Sequence, residues 1–377
     1  MIEVSPQRGL RTAVVIIAVI AVGAALAWLA PILTPLALAM FLAVMIDGFA
    51  RVIRERLPML PAPAALPVAI LVSIGLFFGV AIFIAENAAG FANQLISYTP
   101  RLNGLIRQVS EMFDLNIPPT VDELFQQLNP TRYLGTVAKS LQSFGQNAVF
   151  VLIYLGFIIA SGRNFERKIV GLWPERAERN NALEVFLSIR NGVERYLWVQ
   201  TVTGLMLGVG SGIAMAVIGL DNAIFWALLI FLASYIPIIG GIVGTLVPPV
   251  FALVQFPTFW PAIILFGVLQ AIQFVVGNII QPRMQGDSLN IDPVVVLLAL
   301  AFWGAIWGVA GMFLSTPLTV MMMVILAQFP GTRWIAVLLS ENGEPERLSR
   351  GHAAKSPADK EKPAPRKRAP AKAATPK

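Results

Sequence analysis

Ala223–Val254 reads AIFWALLIFLASYIPIIGGIVGTLVPPVFALV, an apolar run of 32 residues broken near its middle by Pro237, Gly240, Gly241 and Gly244. A second run, Pro293–Ala327, is broken by Gly304, Gly308, Gly311 and Pro317. Between them, after the apolar span Ala262–Ile280, stands the polar patch Gln281-Pro282-Arg283-Met284-Gln285-Gly286-Asp287-Ser288-Leu289-Asn290-Ile291-Asp292. A helix broken at membrane depth exposes carbonyl and N–H groups that hydrocarbon cannot satisfy, so the break has to line a cavity or a ligand. Two such breaks in corresponding segments are the sequence signature of a transport site.

The rest of the chain agrees with a membrane setting. It is 56% hydrophobic and 13% charged, with a mean hydropathy of +0.72. This composition predicts an all-α, polytopic integral membrane protein. Cysteine is absent and His352 is the only histidine. Disulfides, thiolate chemistry, clustered His/Cys metal sites and a Ser–His dyad are thereby excluded. The chain has no phosphate-binding Gly-x-x-x-x-Gly-Lys-Ser/Thr loop, so it carries no ATPase of that kind. No catalytic residue, metal or cofactor is expected.

A hydrocarbon core about 30 Å thick takes about 20 apolar helical residues. About eight hydrophobic segments meet or approach that length: Thr12–Ala30, Ile32–Ala50, Leu66–Ala85, Leu141–Ala160, Leu197–Ile218, the broken run 223–254, Ala262–Ile280 and the broken run 293–327. Arg8 and Arg11, then Arg51, Arg54 and Arg56, then Arg163, Arg167 and Lys168 fall on alternate loops. The positive-inside rule makes those loops cytoplasmic. With both termini cytoplasmic, parity requires each broken run to return to the side it entered from. The expectation is therefore two oppositely directed re-entrant hairpins, with tips at 237–244 and near 304–317.

This reading divides the chain into five parts. Residues 1–60 form an N-terminal transmembrane hairpin, and 61–160 form two spans flanking an outer amphipathic segment (86–140). Residues 161–196 are cytoplasmic amphipathic helices, 197–330 the transport module, and 331–377 a basic, disordered cytoplasmic tail. From Gly331 on there are 11 Lys/Arg against 5 Asp/Glu. That Ala/Lys/Pro-rich composition fits a tail drawn to anionic lipid headgroups rather than to nucleic acid.

Several motifs resemble the autoinducer-two exporter family of bacterial permease-like transporters. They are Pro31-Ile-Leu-Thr-Pro35, Arg195-Tyr196-Leu-Trp-Val-Gln200, Gly219-Leu-Asp221-Asn222, Tyr235-Ile-Pro237-Ile-Ile-Gly240-Gly241, and Asn278 through Pro282 with the later Gly308, Gly311 and Pro317. The resemblance covers about residues 10–328. It implies a multi-pass protein of the bacterial inner membrane, assembled as a homo-oligomer, that exports a small polar solute by alternating access. Family members proposed as sodium/proton antiporters keep an ion antiporter or channel open as the alternative. Candidate solute contacts are Gln200, Pro237, Gly240, Gly241, Gln270, Gln273, Asn278 and Gln281. Asp221, Arg283, Asp287 and Asp292 are the candidates for coupling to protons or sodium. Each has a plainer reading: the glycines as close-packing residues, the glutamines as interhelical hydrogen bonders, Asp292-Pro293 as a helix N-cap.

Overall fold

A computed structural model of the chain describes residues 6–56, 59, 61–112, 147–162, 171, 175–285 and 290–344. Most of the described residues are helical; they form no extended strand, and one isolated bridge joins Ile291 and Ser340. The helices are α1 (Pro6–Trp28), α2 (Ala30–Arg56), α3 (Ala65–Ser97), α4 (Thr99–Met112), α5 (Asn147–Gly162), α6 (Arg176–Ile218), α7 (Ala223–Ala233), α8 (Ile239–Gln255) and α9 (Trp260–Val275). After a π-helical turn, Val276–Ile280, come α10 (Gln281–Gln285), α11 (Pro293–Ala327) and α12 (Arg333–Leu339). Among the described residues, five helical stretches are long and apolar enough to cross a membrane, one of them α9 continued through the π turn into α10, with shorter apolar helices beside them. The chain is an all-α, polytopic membrane protein.

Both broken runs fold back on themselves. At the base of the first, the Gln255 amide oxygen accepts the Asp221 N–H at 2.8 Å, and its NH2 donates to the Gly219 carbonyl at 2.9 Å. The two ends of the run therefore meet. α7, with 11 residues, is only about 16 Å long and cannot reach across the hydrocarbon. In the second run the turn is at Gly308 (φ 61°, ψ −143°), a conformation that only glycine adopts without strain. A Cβ at Gly311 would overlap the Trp303 carbonyl, and one at Gly304 would come within 2.9 Å of Met312. The two legs of α11 are then pinned by the buried Trp303 indole, which donates to Thr319 Oγ1 at 3.3 Å. Pro317, expected at the break, lies instead within the returning leg and is buried.

Two boundaries differ from the sequence reading because an amphipathic face and an apolar span can share one helix. The segment read as a cytoplasmic helix followed by a span is a single helix, α6, of 43 residues, about 65 Å long. Likewise α3 continues through Glu86 to Ser97. The expected outer segment is described only as far as Met112, and residues 113–139 lie outside the described residues, as do 163–170 and the tail from 345.

α6 is the central strut. Gly204, Gly208 and Gly212 recur every fourth residue on the face that receives α7. A Cβ at Gly208 would stand 2.9 Å from the Ala227 carbonyl, and one at Gly212 2.9 Å from the Ala227 Cβ. Small residues at this spacing let two membrane helices approach closely. Around that contact Leu207, Met215, Trp226, Ile230, Phe251, Leu265 and Leu269 form the largest buried cluster. The lower half of α6 is tied to α2 by ion pairs from Arg190 to Asp47 and from Arg51 to Glu194. Asp47 is thus a fastening between these helices.

Candidate functional site

The first hairpin is interrupted between Ala233 and Ile239. Ile238 sits at φ 66°, outside the helical region, and the Ile239 N–H turns back to the Pro237 carbonyl at 2.7 Å. The break leaves the Ser234 carbonyl without a helical partner, and buried Gln200 of α6 supplies one through its side-chain NH2. The Gln200 oxygen in turn accepts from Gln281 at 3.4 Å, a long and weak bond. Next to it, Thr201 Oγ1 and the Tyr235 hydroxyl lie 2.7 Å apart. Tyr235 also stacks on Phe313 of the second hairpin, ring centroids 5.0 Å apart at 25°. The Tyr196 hydroxyl and the Thr316 side chain are hydrogen-bonded as well. The two hairpins therefore meet through aromatic and hydroxyl groups against α6.

These groups surround a cavity of about 550 Å³, lined from α6 by Tyr196 and Gln200 and from the break by Ser234, Pro237, Gly240 and Gly241. Gln273 of α9, Gln281 and Gln285 of α10, and Thr316 of α11 complete much of the polar wall. The volume suits a small molecule. Among the described residues, none of the lining side chains is Lys or Arg, and Glu341 is their one acid. The wall offers carboxamides and hydroxyls, which donate and accept without carrying charge.

Six of the eight expected solute contacts line this cavity: Gln200, Pro237, Gly240, Gly241, Gln273 and Gln281. The neighbouring glycines do different things. A Cβ at Gly240 would press to 2.6 Å on backbone atoms of Ala233 and Ser234, so this glycine closes the hairpin. A Cβ at Gly241 would meet only Gln273, its Nε2 at 3.5 Å, so this glycine is open toward the cavity. Gln270 and Asn278 do not line the cavity. Both are exposed, and the Asn278 amide donates to the Phe274 carbonyl of its own helix at 3.3 Å.

The three expected ion-coupling residues that are described, Asp221, Arg283 and Asp292, do not line the cavity. Asp221 lies at the hairpin base, where its Oδ2 accepts from the Tyr98 hydroxyl at 2.8 Å and from Gln94 at 2.9 Å. Gln94 also accepts from Asn222 at 2.6 Å. This cluster fastens α3 to the hairpin base. Burial, reinforced by the adjacent carboxylate, raises the Tyr98 pKa above its ordinary value of 10.0. Asp292 caps α11, accepting the Val294 N–H at 2.7 Å. Arg283 is exposed on α10, and Asp287 lies outside the described residues. The described residues contain no cluster of three or more His, Cys, Asp or Glu that would hold a metal ion.

Sequence reading missed Tyr196, Ser234, Gln285, Asn290, Thr316, Glu341 and Asn342 of the lining. Tyr196 stands one helical turn before Gln200, and Ser234 lies in the broken run just ahead of Pro237, so proximity to the break was the signal that could have found them. Glu341 and Asn342 come from a segment with no periodicity to flag it.

A family model described as AI-2E family transporter matches residues 15–331. A putative transport protein of Haemophilus influenzae is 30% identical over 342 residues, 88% of this chain and 96% of the relative. The AI-2 transport protein TqsA of Escherichia coli K12 is 26% identical over 342 residues, 89% of this chain and 96% of the relative. Putative transport protein YhhT of the same organism is 28% identical over 291 residues, 75% of this chain and 82% of the relative.

Proposed function

The chain belongs to the AI-2E transporter family, and from that membership and the cavity we propose that it exports a small, polar, uncharged organic solute of the autoinducer-two kind. It is a multi-pass membrane transporter and not an enzyme. The observation that carries the solute class is the wall itself: four glutamines, Gln200, Gln273, Gln281 and Gln285, with no basic side chain among the described lining residues. An anionic solute would lose its hydration shell here and gain no cation, while its charge would face Glu341. A polyhydroxylated neutral solute exchanges water hydrogen bonds for amide ones at little net cost.

Alternating access is supported by the hairpins' mode of contact, since the Tyr235–Phe313 stack and the Gln281–Gln200 bond can part without leaving a buried charge. The ion-antiporter alternative is not favoured, because Asp221 and Asp292 are already engaged by protein donors. In our reading the protein resides in the bacterial inner membrane with both termini cytoplasmic, and it assembles as a homo-oligomer.

The test uses proteoliposomes loaded in turn with autoinducer-two, neutral polyols and a sugar phosphate, with and without proton and sodium gradients. Gln273, whose amide makes no hydrogen bond among the described residues, is replaced by leucine. Efflux of a neutral solute, lost in Gln273→Leu, is the expected result. Efflux confined to the phosphate, or neutral efflux untouched by Gln273→Leu, would overturn the proposal.

A further inference from the structure

Among the described residues, the cavity wall carries one charged side chain, Glu341. It comes after α12 and beyond residue 331, where the family match ends. Glu341 and its neighbour Asn342 are both exposed and both line the cavity, so they stand where the cavity meets solvent. The Glu341 carboxylate makes no hydrogen bond or ion pair with the described residues. Its charge is therefore directed at whatever enters.

The backbone that carries this carboxylate is held on both sides. The Glu341 N–H donates to the Asn290 carbonyl at 3.2 Å, and the Asn342 N–H donates to Asn290 Oδ1 at 3.2 Å. The Asn290 side-chain NH2 donates to the Glu344 carbonyl at 2.8 Å, and Glu344 makes a further contact of its own. Ahead of Glu341, Ser340 pairs with Ile291 in an antiparallel bridge, and the Asp292 N–H reaches the Leu339 carbonyl at 3.2 Å. Ile291 packs with Val320, Met323, Val324, Ala327 and Ala336 in one buried cluster, which anchors the seam to α11 and α12. Asn290 is buried at 7% exposure and adopts φ 43°, a left-handed conformation that asparagine tolerates. A buried asparagine with its amide satisfied in this way is a built element of structure. The rim that presents Glu341 is thus a fixed part of the wall.

We propose that Glu341 sets the charge selectivity of this mouth: a fixed carboxylate that admits neutral and cationic solutes and turns anions back. A charge at an opening with low-dielectric walls acts more strongly than the same charge on an open surface. Deeper in, the amides and hydroxyls both donate and accept, so they discriminate less by sign. Recognition by hydrogen bonding then resides at the hairpin break, and selection by charge resides in a segment outside the matched part of the chain. The inference rests on the cavity being the solute route, but its test reads the mouth directly and needs no solute.

The chain has no cysteine, so Val296→Cys places a single thiol in the cavity wall. The full-length protein in lipid nanodiscs is labelled with two methanethiosulfonates of similar size, one bearing a trimethylammonium group and the other a sulfonate. The ratio of their rates is divided by the same ratio for free 2-mercaptoethanol, which removes their intrinsic difference in reactivity. The ratio should favour the cation in the parent protein. Glu341→Gln keeps the shape of the side chain and should lower the ratio on the order of tenfold at low salt. Asn342→Asp adds a carboxylate beside the first and should raise it. An unchanged ratio in Glu341→Gln would overturn the proposal, whatever Asn342→Asp does. Failure of both reagents to reach Val296→Cys would overturn it too, since the mouth would then not meet solvent. A protein that labels as expected but moves neither autoinducer-two nor polyols would count against the transport reading and leave the charge filter standing.

Discussion

Gly240 and Gly241 are adjacent and chemically identical, yet the structure demands opposite outcomes from substituting them. At Gly240, alanine is already too large. Its Cβ would sit 2.6 Å from the Ala233 oxygen and the Ser234 Cα, and backbone cannot swing aside as a side chain can. Overpacking of this kind costs about 1–3 kcal/mol, so Gly240→Ala should lower thermal stability in detergent and reduce yield. At Gly241 the first carbon is accommodated, 3.5 Å from Gln273 Nε2, and alanine should be tolerated. Leucine is different. Its four carbons take the room of roughly four waters, about 120 Å³ at the ~30 Å³ each occupies, against a cavity of about 550 Å³. It also covers the Gln273 amide.

Gly241→Leu should therefore express, keep its elution volume and melt within a few degrees of wild type, while efflux from proteoliposomes falls at least tenfold. Gly23→Leu is the control, because nothing lies within 4 Å of its Cβ position in α1. Wild-type efflux from Gly241→Leu would refute the cavity as the solute route. Wild-type stability in Gly240→Ala would refute the hairpin geometry on which the distinction depends.

The supports around the site give two more expected outcomes. The Tyr98 pKa is raised by burial and then by its bond to Asp221, so the folded state holds this proton more tightly than the unfolded chain. Its contribution to stability is complete below pH ~10, the unfolded value, and fades as pH rises through the higher folded value. The melting temperature of Tyr98→Phe should thus fall below wild type at pH 7–9 and converge with it at strongly alkaline pH. A difference that grows with pH would contradict the assignment. Thr319→Val leaves the Trp303 indole N–H buried without its acceptor, which should cost about 1–3 kcal/mol, read as a lower melting temperature. An unshifted value would show that the α11 hairpin is held by other contacts.

The hairpins were legible because a proline and paired glycines in the middle of 32 apolar residues interrupt a membrane helix where lipid cannot satisfy the freed backbone. Their tips were less so. Pro317 reads as a breaker, but it sits inside the returning leg of α11, where neighbouring helices let a membrane helix continue past one missing N–H. Gly308, one of four candidates, is the residue whose backbone turns. The pair Gln270 and Gln273 shows a different limit. Three residues apart on a helix means about 60° around the axis and about 4.5 Å along it. That displacement is enough to put one amide in the cavity and the other on the exposed face. Asn278 lies within the π turn Val276–Ile280, which shifts the helical register from that point on. The seam between residue 290 and the segment after α12 was invisible for another reason: Asn290 and Asn342 are joined across 52 residues by a hydrogen bond, and no local pattern announces such a pairing.

The placement of charge explains why the site is built from amides. Among the described residues, the ionisable groups fastened by side-chain partners lie away from the hairpin break: Asp47 with Arg190, Arg51 with Glu194, and Asp221 with Tyr98 and Gln94. There water shares the cost of desolvation, and each pair ties two elements that must keep their spacing. A charge beside the hairpin break would have to be desolvated again whenever the cavity changed its access. A carboxamide carries no such penalty. Gln200 already holds the Ser234 carbonyl with its NH2 and leaves its oxygen to a 3.4 Å contact with Gln281. A solute hydroxyl can take over that oxygen by displacing the weaker of the two bonds, without exposing the broken backbone that the stronger bond protects. On the proposed function, structural support and solute recognition would fall on opposite ends of one side chain, which gives a reason for a buried amide at Gln200 on the central strut.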